Sequence, residues 1–265
     1  MSETTQKKGS EILLKCQSVE KKFDALVAVN KLNFEVKAGQ VLGIGGPNGA
    51  GKTVLFDSIS GVNPCTSGKI IFDGTRIDAL QPDRICHLGL ARTFQLNSGF
   101  DTLTVEENIR TSRYFGHTNQ IVPGVRFDNE TNEHVSEIIE FVGLEEFSKI
   151  QIKNLPVFQR KLLMIGSALA TNPKLLMLDE PVGGLIPAEI EKIMLLVEQV
   201  SKRNVTILLI EHVMRFLMQL CDSVMILHRG EKLFEGPSTD ILSNEKVIEV
   251  YLGENAARLL RRNVG

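Results

Sequence analysis

The sequence predicts an α/β fold in which a parallel-sheet core is split by a helical insertion. Three observations predict it. A glycine-rich phosphate-loop pattern stands between an apolar strand and a helix. Apolar runs at residues 175–178 and 205–210 are continuous rather than alternating, as strands covered on both faces are. Between about residues 96 and 170 the β-character gives way to helical periodicity and polar loops.

The phosphate loop reads Gly46-Pro47-Asn48-Gly49-Ala50-Gly51-Lys52-Thr53, matching G-x-x-x-x-G-K-[ST]. Glycine lets the backbone approach a phosphate with no Cβ in the way. Successive N–H groups at a helix start form an anion-binding nest that the helix dipole reinforces. Lys52 reaches phosphate oxygens as a mobile point charge, and the Thr53 hydroxyl is placed to ligate Mg²⁺. Residues 40–44 before the loop read as a short buried strand, and residues 54–59 after it as a helix stopped near Gly61. This is the setting the motif requires.

The remaining elements follow in chain order. Residues 12–36 read as β-structure, and residues 68–74 as one more strand ending in a tight turn. Residues 82–89 form a short helix with Pro82 near its start and Gly89 at its end. Val135, Ile138, Ile139 and Val142 recur at helical spacing, with Gly143 at the C-cap position. Residues 114–132 are polar and rich in turn formers, and read as a loop. Phe158, Leu162, Ile165 and Leu169 line one face of a helix that ends before Asn172-Pro173. Ile190, Ile193, Met194 and Val197 mark another helix after Pro187.

Two core strands end in polar residues that their apolar runs do not predict. Met177-Leu178 leads into Asp179-Glu180, and Leu209-Ile210 leads into Glu211-His212. Ligands of open parallel sheets bind beyond the carboxyl ends of the strands. Asp179 there serves Mg²⁺ through its water shell, and Glu180 polarises an attacking water. His212 is placed to hydrogen-bond a γ-phosphate.

Bulk properties exclude several classes. The chain has 265 residues, 43% hydrophobic and 23% charged, an ordinary composition for a folded domain. Its net charge of −2 gives no global basic field for nucleic acid. No apolar run approaches the ~18 residues a bilayer span needs. The polar residues 1–8 do not read as a signal peptide. Cys16, Cys65, Cys86 and Cys221 have no metal-binding spacing and suggest buried thiols in a reducing cytoplasm.

Taken in order, Phe23, the loop from Gly46 to Thr53, Gln95, a signature position near Leu155, residues 175–180, Gly183 to Pro187, and His212 resemble the ATP-binding subunits of ABC transporters over residues 12–253. The subunits of branched-chain amino-acid importers are a closer resemblance. It is carried by Leu90-Ala91-Arg92-Thr93-Phe94-Gln95, Thr104-Val105-Glu106-Glu107-Asn108-Ile109, Ile210-Glu211-His212 and the tail Val247-Ile248-Glu249-Val250-Tyr251-Leu252-Gly253-Glu254.

The resemblance implies a P-loop NTPase parallel-sheet core at 12–95 and 171–253, with an antiparallel β subdomain. It also implies a helical subdomain at 96–170 and tails at 1–11 and 254–265. Phe23 is then expected to stack on adenine. Gln95 is expected to touch Mg²⁺ and relay nucleotide state. Asp179 serves the metal, Glu180 is the catalytic base, and His212 contacts the γ-phosphate. The implied cofactors are ATP and Mg²⁺. The implied partners are membrane-spanning permease subunits, a second ATP-binding subunit and, indirectly, a solute-binding protein. The implied location is the cytoplasmic face of the membrane, held peripherally.

The signature departs from the family's Leu-Ser-Gly-Gly-Gln. Here it reads Leu155-Pro156-Val157-Phe158-Gln159: the Ser hydroxyl is gone, Pro156 has no N–H, and two bulky residues replace glycines. Ile186, in Leu185-Ile186-Pro187, replaces the usual polar residue of the following loop. The leading expectation is an ATP-hydrolysing importer subunit in a heterodimer whose intact signature lies on the other chain. The alternatives are a nucleotide-binding regulatory subunit with little turnover and a soluble repair or translation ATPase. The last predicts a coiled-coil insertion or a basic face, and neither is visible.

Overall fold

The computed structural model describes residues 11–94, 99–117 and 129–252. The chain runs β1 (Ile12–Phe23), β2 (Leu26–Lys37), β3 (Val41–Gly45), α1 (Lys52–Ile59), β4 (Ser67–Phe72), β5 (Thr75–Arg76), α2 (Pro82–His87) and β6 (Leu90–Arg92). It continues through α3 (Val105–His117), α4 (Asn129–Val142), α5 (Val157–Leu169), β7 (Leu175–Asp179), α6 (Pro187–Lys202) and β8 (Thr206–Ile210). It closes with α7 (Met214–Leu220), β9 (Ser223–His228), β10 (Glu231–Pro237) and α8 (Glu245–Leu252).

Two sheets result. The first is antiparallel, in the order β2-β1-β4-β5. The second has the order β10-β9-β3-β8-β7-β6 and is parallel except for β10 at its edge. Alternate residues of its central strands face opposite ways. Leu175, Met177, Leu208 and Ile210 join a core shared with α1 and the antiparallel sheet. Leu176, Leu178, Ile207 and Leu209 join a second core with α4, α5 and α6. Every residue of β3, β7 and β8 is buried, which is why these strands read as unbroken apolar runs.

The strand order places the carboxyl ends of β3, β8 and β7 side by side. Ile44 pairs with Ile210, and Ile210 with Asp179. The phosphate loop, Asp179-Glu180 and Glu211-His212 therefore emerge along one edge of the sheet.

Several sequence expectations need correction. The helix after the phosphate loop begins at Lys52, two residues earlier than its apolar pattern suggests, because the loop itself supplies the first turn. The segment 114–132 is not a loop throughout. Helix α3 extends to His117 and α4 starts at Asn129, while residues 118–128 lie outside the described part. The last turn of α3 is held by tertiary packing: a Cβ on Gly116 would stand 2.5 Å from Thr171 Cγ2. Strand β6 is three residues long and carries no pattern of its own; pairing with β7 makes it a strand.

Candidate functional site

The phosphate loop is built around carbonyls that leave no room for side chains. A Cβ on Gly46, where φ is 141°, would lie 2.2 Å from the Leu227 carbonyl oxygen. One on Gly51, where φ is 101°, would lie 2.3 Å from the Ala28 oxygen. Glycine is thus required at both by close approach and by left-handed backbone. Asn48 and Gly49 are exposed at the rim, and Ala50 is buried beneath, its carbonyl accepting the Gly230 N–H at 3.0 Å.

The Leu55 N–H bonds the Gly51 carbonyl at 2.9 Å. The first amides of a helix have no intrahelical acceptor, so those of α1 suit an anion. Lys52 is 5% exposed; its ammonium donates to the Gly46 oxygen at 2.7 Å and to Pro47 at 3.1 Å. Burial lowers its pKa, and Glu180, Asp179 and Glu211 oppose that shift. These two loop carbonyls hold the ammonium beside the loop. Thr53 is exposed beside it.

Asp179 ends β7 with its side chain 1% exposed. Its Oδ2 accepts from Arg92 Nη2 at 2.9 Å, and its N–H donates to Thr93 Oγ1 at 3.2 Å. Its Oδ1 is buried and has no hydrogen-bond partner among the described residues. Burial pushes the carboxyl pKa up, and the Arg92 hydrogen bond pulls it back. A buried carboxylate oxygen left bare costs about 1–3 kcal/mol, so it is receptive to a cation.

Glu180 follows with φ 48°, a left-handed conformation that a non-glycine residue adopts at a cost. It is held there on both sides. Its N–H donates to the Ile210 oxygen at 3.1 Å, and its carbonyl accepts from Lys161 Nζ at 2.8 Å. Lys161 comes from α5 and is 5% exposed; burial lowers its pKa against the opposing charges of Glu211, Glu180 and Asp179.

At the end of β8, Glu211 is fully buried and binds main chain in two loops. It accepts from the Val182 N–H at 3.2 Å, the His212 N–H at 3.0 Å and the Val213 N–H at 3.4 Å. Burial pushes its carboxyl pKa up, against those three bonds. The His212 side chain is 54% exposed, with Nδ1 3.7 Å from Glu211 Oε2. Phe23 lies at the β1–β2 hairpin end, 41% exposed, with the Lys21 ammonium 5.1 Å from its ring centre. Gln95 lies outside the described residues.

The structure thus brings the phosphate loop, Asp179, Glu180 and His212 to one sheet edge. Sequence reading gave no separate role to Arg92, Lys161 and Glu211. Glu211 carries a visible signal, a charged residue directly following an apolar run; Lys161, next to Gln159 and Arg160, does not. Arg92 carries none, because a three-residue edge strand shows no periodicity to break.

The segment Leu155-Pro156-Val157-Phe158-Gln159, which the resemblance reads as the signature, leads into α5. Pro156 is the N-cap, with no side-chain cap bond, and Val157 is 44% exposed. Arg160 takes the nearby carbonyls of Leu155 and Lys153, each at 2.9 Å. Phe158 packs partly against the core under the Lys192 ammonium, 5.6 Å from its ring centre. Ile186, at the head of α6, is 61% exposed.

An apolar groove of about 560 Å³ opens between β6, α2, α3 and α5. Phe94, Phe100, Phe115, Leu163 and Met164 line it, together with Arg92. Those three phenylalanines are 42%, 60% and 60% exposed.

Comparison with known proteins agrees with this geometry. The ABC transporter family matches residues 29–183. The branched-chain amino acid ATP-binding cassette transporter family matches residues 231–257. The high-affinity branched-chain amino acid transport ATP-binding protein BraF of Pseudomonas aeruginosa is 34% identical, over 92% of this chain and 99% of its own length. The probable branched-chain amino acid transport ATP-binding protein LivG of Archaeoglobus fulgidus is 33% identical, over 91% of this chain and 95% of its own. Among solved structures, the ADP conformation of MJ1267, an ATP-binding cassette of an ABC transporter, has a TM-score of 0.84 at 29% identity. The match covers 92% of this chain and 100% of that one.

Proposed function

The chain belongs to the ABC transporter family as an ATP-binding subunit of the branched-chain amino-acid type, and from that premise we propose that it hydrolyses ATP at its own phosphate loop to power uptake of branched-chain amino acids. One observation supports this most: Asp179 presents a bare, buried carboxylate oxygen on the same sheet edge as Lys52 and Glu180. The donor set there, a threonine hydroxyl and a carboxylate oxygen, is hard and oxygen-based and suits Mg²⁺. When bound, Mg²⁺ neutralises phosphate charge.

In this reading the phosphates of ATP lie on the amides of Gly46 to Thr53, with Pro47, Asn48, Gly49, Ala50 and Gly51 forming the curve of the loop. The Lys52 ammonium leaves the Gly46 and Pro47 carbonyls for phosphate oxygens. Thr53, Asp179 and Gln95 hold the cation. Glu180, fixed by its main-chain bonds to Ile210 and Lys161, takes a proton from the attacking water. His212 bonds the γ-phosphate, and Glu211 holds the two loops that flank it. Phe23 offers its exposed ring to adenine.

Partners follow from the same reading. Among the described residues no helix is long and apolar enough to cross a membrane, so separate permease subunits carry the solute and hold this chain at the cytoplasmic face. The groove lined by Phe94, Phe100 and Phe115 suits an apolar permease segment, and a solute-binding protein delivers the amino acid to the permease. Vesicles reconstituted with the permease subunits test the function. ATP-driven uptake of labelled leucine, isoleucine or valine is expected only when this chain is present; uptake that persists without it would overturn the assignment.

We further propose a heterodimer. An N-cap without an N–H or a hydroxyl, followed by the exposed Val157, offers little to a phosphate. Two lost charge-assisted bonds at about 1.5–3 kcal/mol each weaken the site this edge completes by two orders of magnitude or more, at ~1.4 kcal/mol per tenfold. Replacing Pro156, Val157 and Phe158 by Ser, Gly and Gly is expected to tighten ATP at that site about tenfold or more, from one recovered bond of ~1.5 kcal/mol or more. Equilibrium titration of the assembled complex reads the change, and an unaltered second site would contradict the proposal.

A further inference from the structure

Arg92 occupies an unusual junction. Its guanidinium is 5% exposed and holds three side chains at once. Nη1 donates to Asp57 Oδ1 at 2.6 Å and to Ser60 Oγ at 3.0 Å, both at the C-terminal part of the phosphate-loop helix. Nη2 donates to Asp179 Oδ2 at 2.9 Å. Its Nε is buried with no partner among the described residues, so the fork is not placed to satisfy every donor. It is placed to join α1 to β7. The group lies 5.5 Å from the Phe56 ring centre and 5.0 Å from that of Phe94, distances at which a cation is attracted to an aromatic face.

Two consequences follow from this placement. Because Oδ2 is taken, the Asp179 carboxylate cannot rotate freely, and Oδ1 is the oxygen left bare. A planar fork with anchors on both sides fixes orientation as a point charge does not. Arg92 is also among the residues lining the apolar groove, and Phe94, which lines it too, lies against the same guanidinium. Phe94 therefore borders both the groove and the group that orients Asp179.

We propose that Arg92 is a positioning residue that presents one oxygen of Asp179 to the cation of a bound Mg-nucleotide, and that it links the state of the apolar groove to that carboxylate. The inference rests on the ATP and Mg²⁺ reading above. It adds a route from groove to metal site through the Phe94–Arg92–Asp179 contacts.

The test is calorimetric titration of the full chain with ADP, once in EDTA and once with excess Mg²⁺. The quantity read is the ratio of the two affinities, which a general loss of folding does not select. Arg92→Gln is expected to lower that Mg²⁺-dependent gain at least fivefold while leaving metal-free ADP affinity within twofold. Arg92→Lys, with one anchor kept, is expected to fall between. Asp57→Asn removes the far anchor and is expected to lower the gain less. Phe94→Ala is expected to lower it as well, although the ring has no oxygen or nitrogen for a cation.

A wild-type gain retained in Arg92→Gln overturns the proposal, as does an equal fall in both affinities. If Arg92→Gln does not fold, Asp57→Asn decides, and an unchanged ratio there overturns it. An unchanged ratio in Phe94→Ala overturns the link to the groove. A wild-type protein with no Mg²⁺-dependent gain overturns the metal reading itself, and Arg92 with it.

Discussion

Lys52→Ala is expected to weaken ATP binding by this subunit at least a hundredfold. The ammonium is buried at the loop mouth and bonded, among the described residues, to the Gly46 and Pro47 carbonyls, bonds that the proposed binding exchanges for phosphate oxygens. Two charge-assisted bonds are lost, at about 1.5–3 kcal/mol each. Together that is ~3–6 kcal/mol, or roughly 10² to 10⁴ in affinity. Burial lowers the Lys52 pKa, and the nearby Glu180, Asp179 and Glu211 oppose that shift. Nucleotide binding to the folded state alone raises the melting temperature. Thermal melts should therefore show wild-type stabilisation by ATP and none in the variant, with little change in its nucleotide-free melt. Stabilisation by ATP that survived the substitution would remove Lys52 from the site.

Glu180→Gln is expected to halt hydrolysis while sparing binding. Two of the bonds that hold this residue run through its main chain, to the Ile210 carbonyl and from Lys161 Nζ. An amide of the same shape therefore leaves the left-handed turn at φ 48° intact. What is lost is the proton acceptor. General-base assistance contributes about 10² to 10⁴ in rate, so phosphate release by the purified complex should fall by that range. ATP affinity should stay near the wild-type value. A rate within threefold of wild type would assign the base elsewhere.

The core of the fold was legible because its strands are buried on both faces. The runs 175–178 and 205–210 read as strands without help from alternation, and β7 and β8 occupy them. The phosphate loop was legible because close backbone approach dictates residue type, as the carbonyls facing Gly46 and Gly51 show. What was not legible depends on contacts distant in sequence. Strand β6 exists through its pairing with β7, and the end of α3 through packing against Thr171.

The candidate site divides the same way. Asp179, Glu180 and His212 stand out in the sequence because polar residues interrupt apolar runs at strand ends. Lys161 stands on a helix and reaches Glu180 across 19 positions, and Arg92 reaches Asp179 across 87. Pairing over such separations leaves no trace in local pattern. Pro156 serves as the N-cap of α5.

The decisive measurement is amino-acid uptake by the reconstituted complex with the base removed from one ATP-binding subunit at a time. Glu180→Gln in this chain alone should abolish ATP-driven uptake, because its own phosphate loop forms the hydrolytic site. If uptake continued with Glu180→Gln here and stopped only when the partner's equivalent residue was changed, this chain would bind nucleotide without powering transport.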